Sequence, residues 1–341
     1  MSTGYVYHPI FLEHNLPSHP ENARRLEQTM AALWDSGILE RLVQVEPRPA
    51  SVEELARVHS LAHIDCVRQV SARGGGYLDG DTYLSARSYA AACMAAGGMI
   101  AAVDALLGGE IDNGFALLRP PGHHATSTRG MGFCLFNNVA IAARHALTHP
   151  GIERVFIADF DVHHGNGTQE IFECDPRVFY FSTHEYPFYP GTGHWQETGQ
   201  GAGKGSVLNV PLPAGVGDAG YARVFEELVW PMARRFRPDV MLISAGYDGH
   251  WKDPLAMMLL SLTGYTTITR HLVQMANELC QGRILFALEG GYSLDVLTNA
   301  ILNTFHVLLG EESVTDPLGL SGSVERPIDD VISFVRNAHA I

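Results

Sequence analysis

The sequence predicts an α/β fold: a single domain with a mostly parallel, multi-stranded sheet covered by helices on both faces. Three observations carry this. From Ser85 onward, short apolar runs alternate with longer helical patterns. Val155 to Ala158 and Val240 to Ile243 are apolar throughout, as strands buried on both faces must be, and Phe115 to Leu118 is a weaker third run. All three runs end in polar tails of one kind: Arg119-Pro120-Pro121-Gly122-His123-His124, Asp159-Phe160-Asp161-Val162-His163-His164 and Ser244-Ala245-Gly246-Tyr247-Asp248. Open α/β sheets bind ligands beyond the carboxyl ends of their strands, where these tails fall.

Element by element, helices are expected around Ala23 to Ser36 and Ser51 to His59, separated by loops such as Gly74-Gly75-Gly76. This first part wraps the sheet and supplies a rim. Next come helix 86–107, strand 114–118, helix 134–148, strand 154–160, strand 178–182, helix 219–236, strand 239–245, helix 263–280, strand 283–288 and helix 294–309. The longest apolar tract, Tyr89 to Leu107, is rich in Ala and Gly and contains Asp104. Small residues around a central charge fit a closely packed core helix better than a membrane span. The Gly- and Pro-rich stretch from His184 to Gly220 reads as one long functional loop. A polar stretch from Gly310 to Pro327 precedes a last amphipathic helix near Ile328 to Ala338.

Length alone, 341 residues, suggests about two domains. A site assembled from residues 123 to 292 admits no boundary between them, so one catalytic domain over 1–341 is expected. Acidic residues outnumber basic ones by 37 to 23, a formal charge of −14, which argues against a nucleic-acid footprint. Cys66, Cys93, Cys134, Cys174 and Cys280 are odd in number and form no C-x-x-C pair, so neither a disulfide framework nor a cysteine zinc site is indicated. A reducing cytoplasm fits best. Met1 to Tyr5 shows no basic region followed by an apolar stretch, so no secretory signal and no membrane partner are expected.

The chemistry follows from side-chain direction. In the extended segment 159–163, alternate residues Asp159, Asp161 and His163 point to one side, and a pair at i and i+2 can grip one cation. Asp248, after another strand, is the natural third ligand. Three protein ligands with a vacant position describe a catalytic metal site. Two carboxylates and one imidazole admit Fe(II), Co(II) or Mn(II) as well, with zinc the first choice. His123 and His124, behind a rigid Pro-Pro-Gly turn, suit the taking and returning of a proton. Asp159 is placed to hold one imidazole and Asn166 the other. Glu289-Gly290-Gly291-Tyr292 closes another strand, where the Tyr292 phenol can donate to a forming oxyanion.

These motifs resemble the zinc-dependent histone deacetylase superfamily, in particular its class II and bacterial amidohydrolase branch. The resemblance rests on Arg-Pro-Pro-Gly-His-His at 119–124, Gly-Met-Gly-Phe-Cys at 130–134, Asp-x-Asp-x-His-His-Gly-Asn-Gly at 159–167, Tyr-Pro-Gly-Thr-Gly at 189–193 and Glu-Gly-Gly-Tyr at 289–292, in the family's order. His19-Pro20-Glu21 with Arg24 or Arg25 looks like its N-terminal loop. The resemblance implies an arginase and deacetylase type of fold, with Asp161, His163 and Asp248 as zinc ligands and Tyr292 polarising the acyl carbonyl. It makes His124 the general base and acid, assisted electrostatically by His123. Phe133 and Tyr189, with Gly132 beside them and Leu255 adding an apolar contact, would wall a channel for an aliphatic chain. The family more often has Phe where Tyr189 stands. A potassium ion is implied near Asp159, Ser182 and Thr183, with the backbone carbonyls of Asp161 and His163. Asn166 stands where class I members have aspartate. Asp79 or Asp81 would be the acidic rim residue that fixes the substrate backbone.

The expected function is hydrolysis, by attack of zinc-bound water, of the amide of acetyl-lysine or a similar small acylated amine, free or in a peptide. An acetylpolyamine amidohydrolase would share every catalytic residue and differ at the rim. A dimanganese ureohydrolase is disfavoured because only one metal's worth of ligands is present. A non-catalytic, metal-holding binding module would usually have lost Tyr292 or a ligand. A homo-oligomer is compatible with the sequence.

Overall fold

The chain is described from a computed structural model covering residues 2–312 and 314–341. Met1, in the segment read for a leader, and Ser313, in the polar stretch 310–327, lie outside the described residues. The strands are β1 (Thr3–Val6), β2 (Val43–Gln44), β3 (Gly75–Tyr77), β4 (Tyr83–Ser85), β5 (Asn113–Ala116), β6 (Val155–Asp159), β7 (Val178–Glu185), β8 (Val207–Leu212), β9 (Val240–Ala245) and β10 (Ile284–Leu288). Eight of them form one sheet in the order β2-β1-β5-β10-β9-β6-β7-β8, and β3 pairs with β4 as a separate antiparallel hairpin. The pairs β1–β2, β1–β5, β6–β7, β6–β9 and β7–β8 are all parallel. This is the α/β class expected.

Two compact units interleave along the sequence. One holds the residues up to Ile152 with Gly165–Ile171 and Leu285–Glu289; the other holds Glu153–His164, Phe172–Ile284 and Gly290–Ile341.

In the first unit, the helix Ser88–Leu107 packs on β1 and β5 and on the helix Asn138–Ala146. It is the one helix among the described residues long and apolar enough to cross a membrane, and most of it is buried. Its small residues allow close approach: a Cβ on Gly97 would lie 1.8 Å from the Arg48 carbonyl oxygen. Helix Asn138–Ala146 starts later than the expected 134 because the Asn137 side chain caps it, accepting from Ala140 N at 3.0 Å. The expected helix 51–59 is a single turn, Val52–Leu55, closed by a Ser51–Glu54 capping box. A second helix, Leu61–Ala72, then starts from Ser60.

In the second unit, β6, β7, β8 and β9 are buried at every position. The expected loop 184–220 is not structureless, since β8 lies within it. Pro211 obscures that strand in the sequence, but β8 is at the edge of the sheet, where a missing N–H is tolerated. The expected helix 219–236 is interrupted by a wider π turn at Phe225–Val229. Pro231 sits just past it and withholds one backbone donor from the helical ladder, a common cause of such a bulge.

Candidate active site

The His-His turn is built from buried charge. Arg119 and Glu21 are fully buried and paired, with Arg119 Nη2 2.8 Å from Glu21 Oε2. The Arg119 guanidinium also donates to the carbonyls of Phe11 and His14, each at 2.7 Å. Burial alone would raise the Glu21 carboxyl, but Arg119 and His14 override it and hold it well below its usual range. Of the two candidate arginines, the structure selects Arg25, buried 3.2 Å from Glu21, whereas Arg24 is exposed. Glu289 Oε2 then accepts from the amides of Gly122 at 2.7 Å and His123 at 3.2 Å, which fixes the turn. A Cβ on Gly122 would meet Asn138 N at 2.6 Å, so only glycine fits.

His123 and His124 are both 3% exposed, with ring centroids 4.0 Å apart. His124 Nδ1 lies 2.8 Å from Asn166 Oδ1, the first residue of the helix Asn166–Phe172. The amides of Gly167 and Thr168 donate to the His123 carbonyl at 3.1 and 3.2 Å, seating that helix against the turn. Gly132, at φ +54°, closes over His124: a Cβ there would lie 2.4 Å from the ring Cδ2. Phe133 has φ +69°, a strained value for a residue with a side chain, and its amide donates to Thr82 Oγ1 at 3.1 Å. The His19 ring stands edge-on to Phe133 at 4.5 Å.

A second cluster forms where β6 and β9 end. Asp161 is 1% and Asp248 0% exposed, and His163 Nδ1 lies 3.2 Å from Asp161 Oδ1 and 3.2 Å from Asp248 Oδ2. The outer oxygens are held by backbone: Asp248 Oδ1 accepts from Val162 N at 3.0 Å, and Asp161 Oδ2 from Gly290 N at 2.8 Å. Burial opposes a charged His163 ring, but the two carboxylates outweigh it and carry its pKa up to about 10. The set therefore draws positive charge to one point.

Its donor atoms lie within 4.8 Å of one another, and glycines keep the space around them open. A Cβ on Gly246 would stand 2.1 Å from Asp161 Oδ2, and one on Gly290 would stand 2.2 Å from Asp248 Oδ2. Two carboxylate oxygens and an imidazole nitrogen in this cradle fit zinc, as well as Fe(II) or Co(II).

Other expected residues gather around this second cluster. Tyr189 is 40% exposed and edge-on to His163 with centroids 6.2 Å apart; Phe188, which no sequence motif marks, stacks on the same ring at 5.4 Å. Tyr292 is positioned by Asp253, whose Oδ2 accepts from the amides of Tyr292 at 2.7 Å and Ser293 at 3.1 Å. Asp253 Oδ1 accepts from Leu255 N at 3.0 Å, so one carboxylate orders both segments. Asp159 faces Ser182 across the β6–β7 pair, with Thr183 next in line, and Asp159 Oδ1 and Oδ2 accept from Asp161 N at 3.2 Å and the Tyr180 hydroxyl at 3.1 Å. The Thr183 hydroxyl is buried and has no hydrogen-bond partner.

At the rim, Asp79 is turned into its own loop, with Oδ1 accepting from Asp81 N at 3.2 Å and Thr82 N at 2.7 Å. Asp81 is exposed as a residue, but partial desolvation of its carboxyl and the neighbouring Asp79 raise its pKa.

The histone deacetylase domain matches residues 19–308 of the chain. The chain belongs to the histone deacetylase family. It is 44% identical over 298 residues to a probable deacetylase of Archaeoglobus fulgidus, covering 86% of this chain and 82% of that protein. It is 40% identical to histone deacetylase 14, chloroplastic, of Arabidopsis thaliana, covering 97% and 83%. Among solved structures, the HD domain of HDA15 superposes with a TM-score of 0.91 at 38% identity, covering 99% of this chain and 94% of that one. The histone deacetylase family member described here is thus a deacetylase, a hydrolase of amide bonds, on the fold its sequence predicted.

Proposed function

We propose that the chain is one catalytic domain, 1–341, that removes acetyl groups from acetyl-lysine or a similar acylated amine, with zinc held by Asp161, His163 and Asp248. The observation that carries this is the glycine-lined donor set, in which two buried carboxylates face one imidazole nitrogen. A zinc ion there would supply Lewis acidity to the acyl carbonyl and to water.

The protein's own groups do the rest. With Nδ1 engaged by Asn166, the His124 ring takes a proton from water on Nε2 and returns it to the leaving amine. Asn166 orients the ring as a neutral amide, without the added basicity a carboxylate would give. His123 assists electrostatically, with Asp159 as the carboxylate that steadies it. The Tyr292 phenol donates to the carbonyl oxygen as charge develops, held in place by Asp253 through its amide.

Phe133 and Tyr189 are proposed as channel walls, with Gly132 and Leu255 beside them. Asp81 is the rim acid, because Asp79 is occupied by its own turn. Potassium is proposed at Asp159, Ser182 and Thr183 with the carbonyls of Asp161 and His163. The cysteine pattern, five residues with no C-x-x-C pair, supports a reducing compartment, the cytoplasm.

A panel of an acetyl-lysine peptide, an acetylated polyamine and longer acyl-lysines tests the substrate class. Turnover of the acetyl-lysine peptide is expected. Hydrolysis of the polyamine alone would overturn this reading.

A further inference from the structure

Asp104 is the one charged residue within the apolar helix Ser88–Leu107, and its carboxylate has no part in the chemistry above. Its Oδ1 lies 2.6 Å from His145 Nε2 and 3.0 Å from His149 Nε2, and those two nitrogens are 3.3 Å apart. His145 stands in the last turn of the helix Asn138–Ala146, and His149 follows at i+4, so both imidazoles leave on one side. Three donor atoms from two segments of the chain therefore converge on one point. For zinc bonds of about 2.0–2.1 Å in a tetrahedral site, donor atoms stand about 3.3 Å apart, close to this triangle.

The protons argue the same way. Arg57 Nη1 is 3.0 Å from His145 Nδ1, and a guanidinium only donates, so a neutral His145 ring carries its proton on Nε2, facing Asp104 Oδ1. His149 Nε2 must donate to that same oxygen, which sets two N–H groups against each other at 3.3 Å. One divalent cation in place of those protons satisfies all three atoms. The side chains are 13% (His145), 29% (His149) and 45% (Asp104) exposed, so an ion can enter and keep a water in its fourth position.

We propose that Asp104, His145 and His149 form a second metal site for a late first-row divalent cation, zinc foremost. Bound metal joins the helix Ser88–Leu107 to the end of the helix Asn138–Ala146. The exposed Arg57 opposes the ion and must turn away from His145, so it weakens the site.

The test counts ions on the purified, untagged chain equilibrated with zinc. The wild type is expected to hold two per chain, and its melting temperature to keep rising with zinc after the first ion has bound. His145→Ala and His149→Ala should hold one ion, keep full deacetylase turnover and lose retention on a nickel column. Arg57→Ala should bind the second ion several-fold more tightly. A wild type that takes up a single ion, a His149→Ala chain that still takes up two, or an Arg57→Ala chain with wild-type affinity each overturns the proposal. The active-site reading fails separately, if Asp248→Ala keeps both ions.

Discussion

His124 Nδ1 lies 2.8 Å from the amide oxygen of Asn166, three residues beyond His163. The amide engages Nδ1 and leaves Nε2 for the proposed proton transfer without adding a negative charge. His124→Ala should lower kcat by about 10²-fold or more, the usual scale for losing an acid-base group, and leave metal content unchanged. Loss of the metal, or near wild-type kcat, would remove His124 from its role.

Asn166→Asp should move the acidic limb of the kcat/KM profile to higher pH. A carboxylate at Asn166 would stabilise the imidazolium, so the ring would stay protonated, and inactive as a base, further up the pH scale. An acidic limb that stays in place would show that this hydrogen bond does not set the basicity of His124.

Tyr292→Phe keeps the ring and loses the hydroxyl. Removing one oxyanion donor costs about 10²–10³ in kcat, and KM and zinc content should hardly change. Asp253→Ala should also lower kcat, because the amides of Tyr292 and Ser293 lose their acceptor. If Tyr292→Phe turns over like the parent, the oxyanion assignment is wrong.

The cluster of Asp161, His163 and Asp248 was legible in the sequence because Asp161 and His163 alternate in one extended segment and Asp248 follows a second apolar strand. Asn166 could be named as an imidazole partner, but not matched to His124 until the helix at 166 was placed. Asp253 and Glu289 were not legible as supports. Their carboxylates act on backbone amides at 292, 122 and 123, and an amide leaves no mark on residue type. Phe188 stands one residue before the Tyr-Pro-Gly-Thr-Gly motif at 189–193, so no motif marks it. In the fold, the long apolar strands were clear, whereas β1 is four residues long and contains Gly4, and β8 contains Pro211. Such elements take their stability from pairing and packing more than from local propensity.

Burial sets a pH limit on the first unit. His59 Nδ1 donates to the Thr126 carbonyl at 2.9 Å and Nε2 accepts from Asn137 N at 2.9 Å, so the ring is neutral, and burial holds its pKa down at about 3 against 6.5. A depressed folded pKa means stability that is full above 6.5 and lost as pH falls toward 3, at up to about 1.4 kcal/mol per pH unit. His59→Gln should flatten this acid slope in denaturant titrations between pH 6.5 and 4. An unchanged slope would assign the acid loss to other groups.

Gly246→Ala would place a methyl 2.1 Å from Asp161 Oδ2, inside the donor cradle. The variant should lose the active-site metal and activity with it, and melt at a lower temperature, because the methyl would also stand 2.6 Å from the Asp161 Cα. Normal metal content in this variant would mean that the cradle is not where the ion sits.

The most direct measurement is chelation followed by stepwise return of zinc, with turnover of an acetyl-lysine peptide read at each step. One equivalent bound at Asp161, His163 and Asp248 should restore full activity, and Asp248→Ala should not recover at any zinc concentration. Full turnover by the metal-free chain, or recovery only when two ions are bound, would contradict the account.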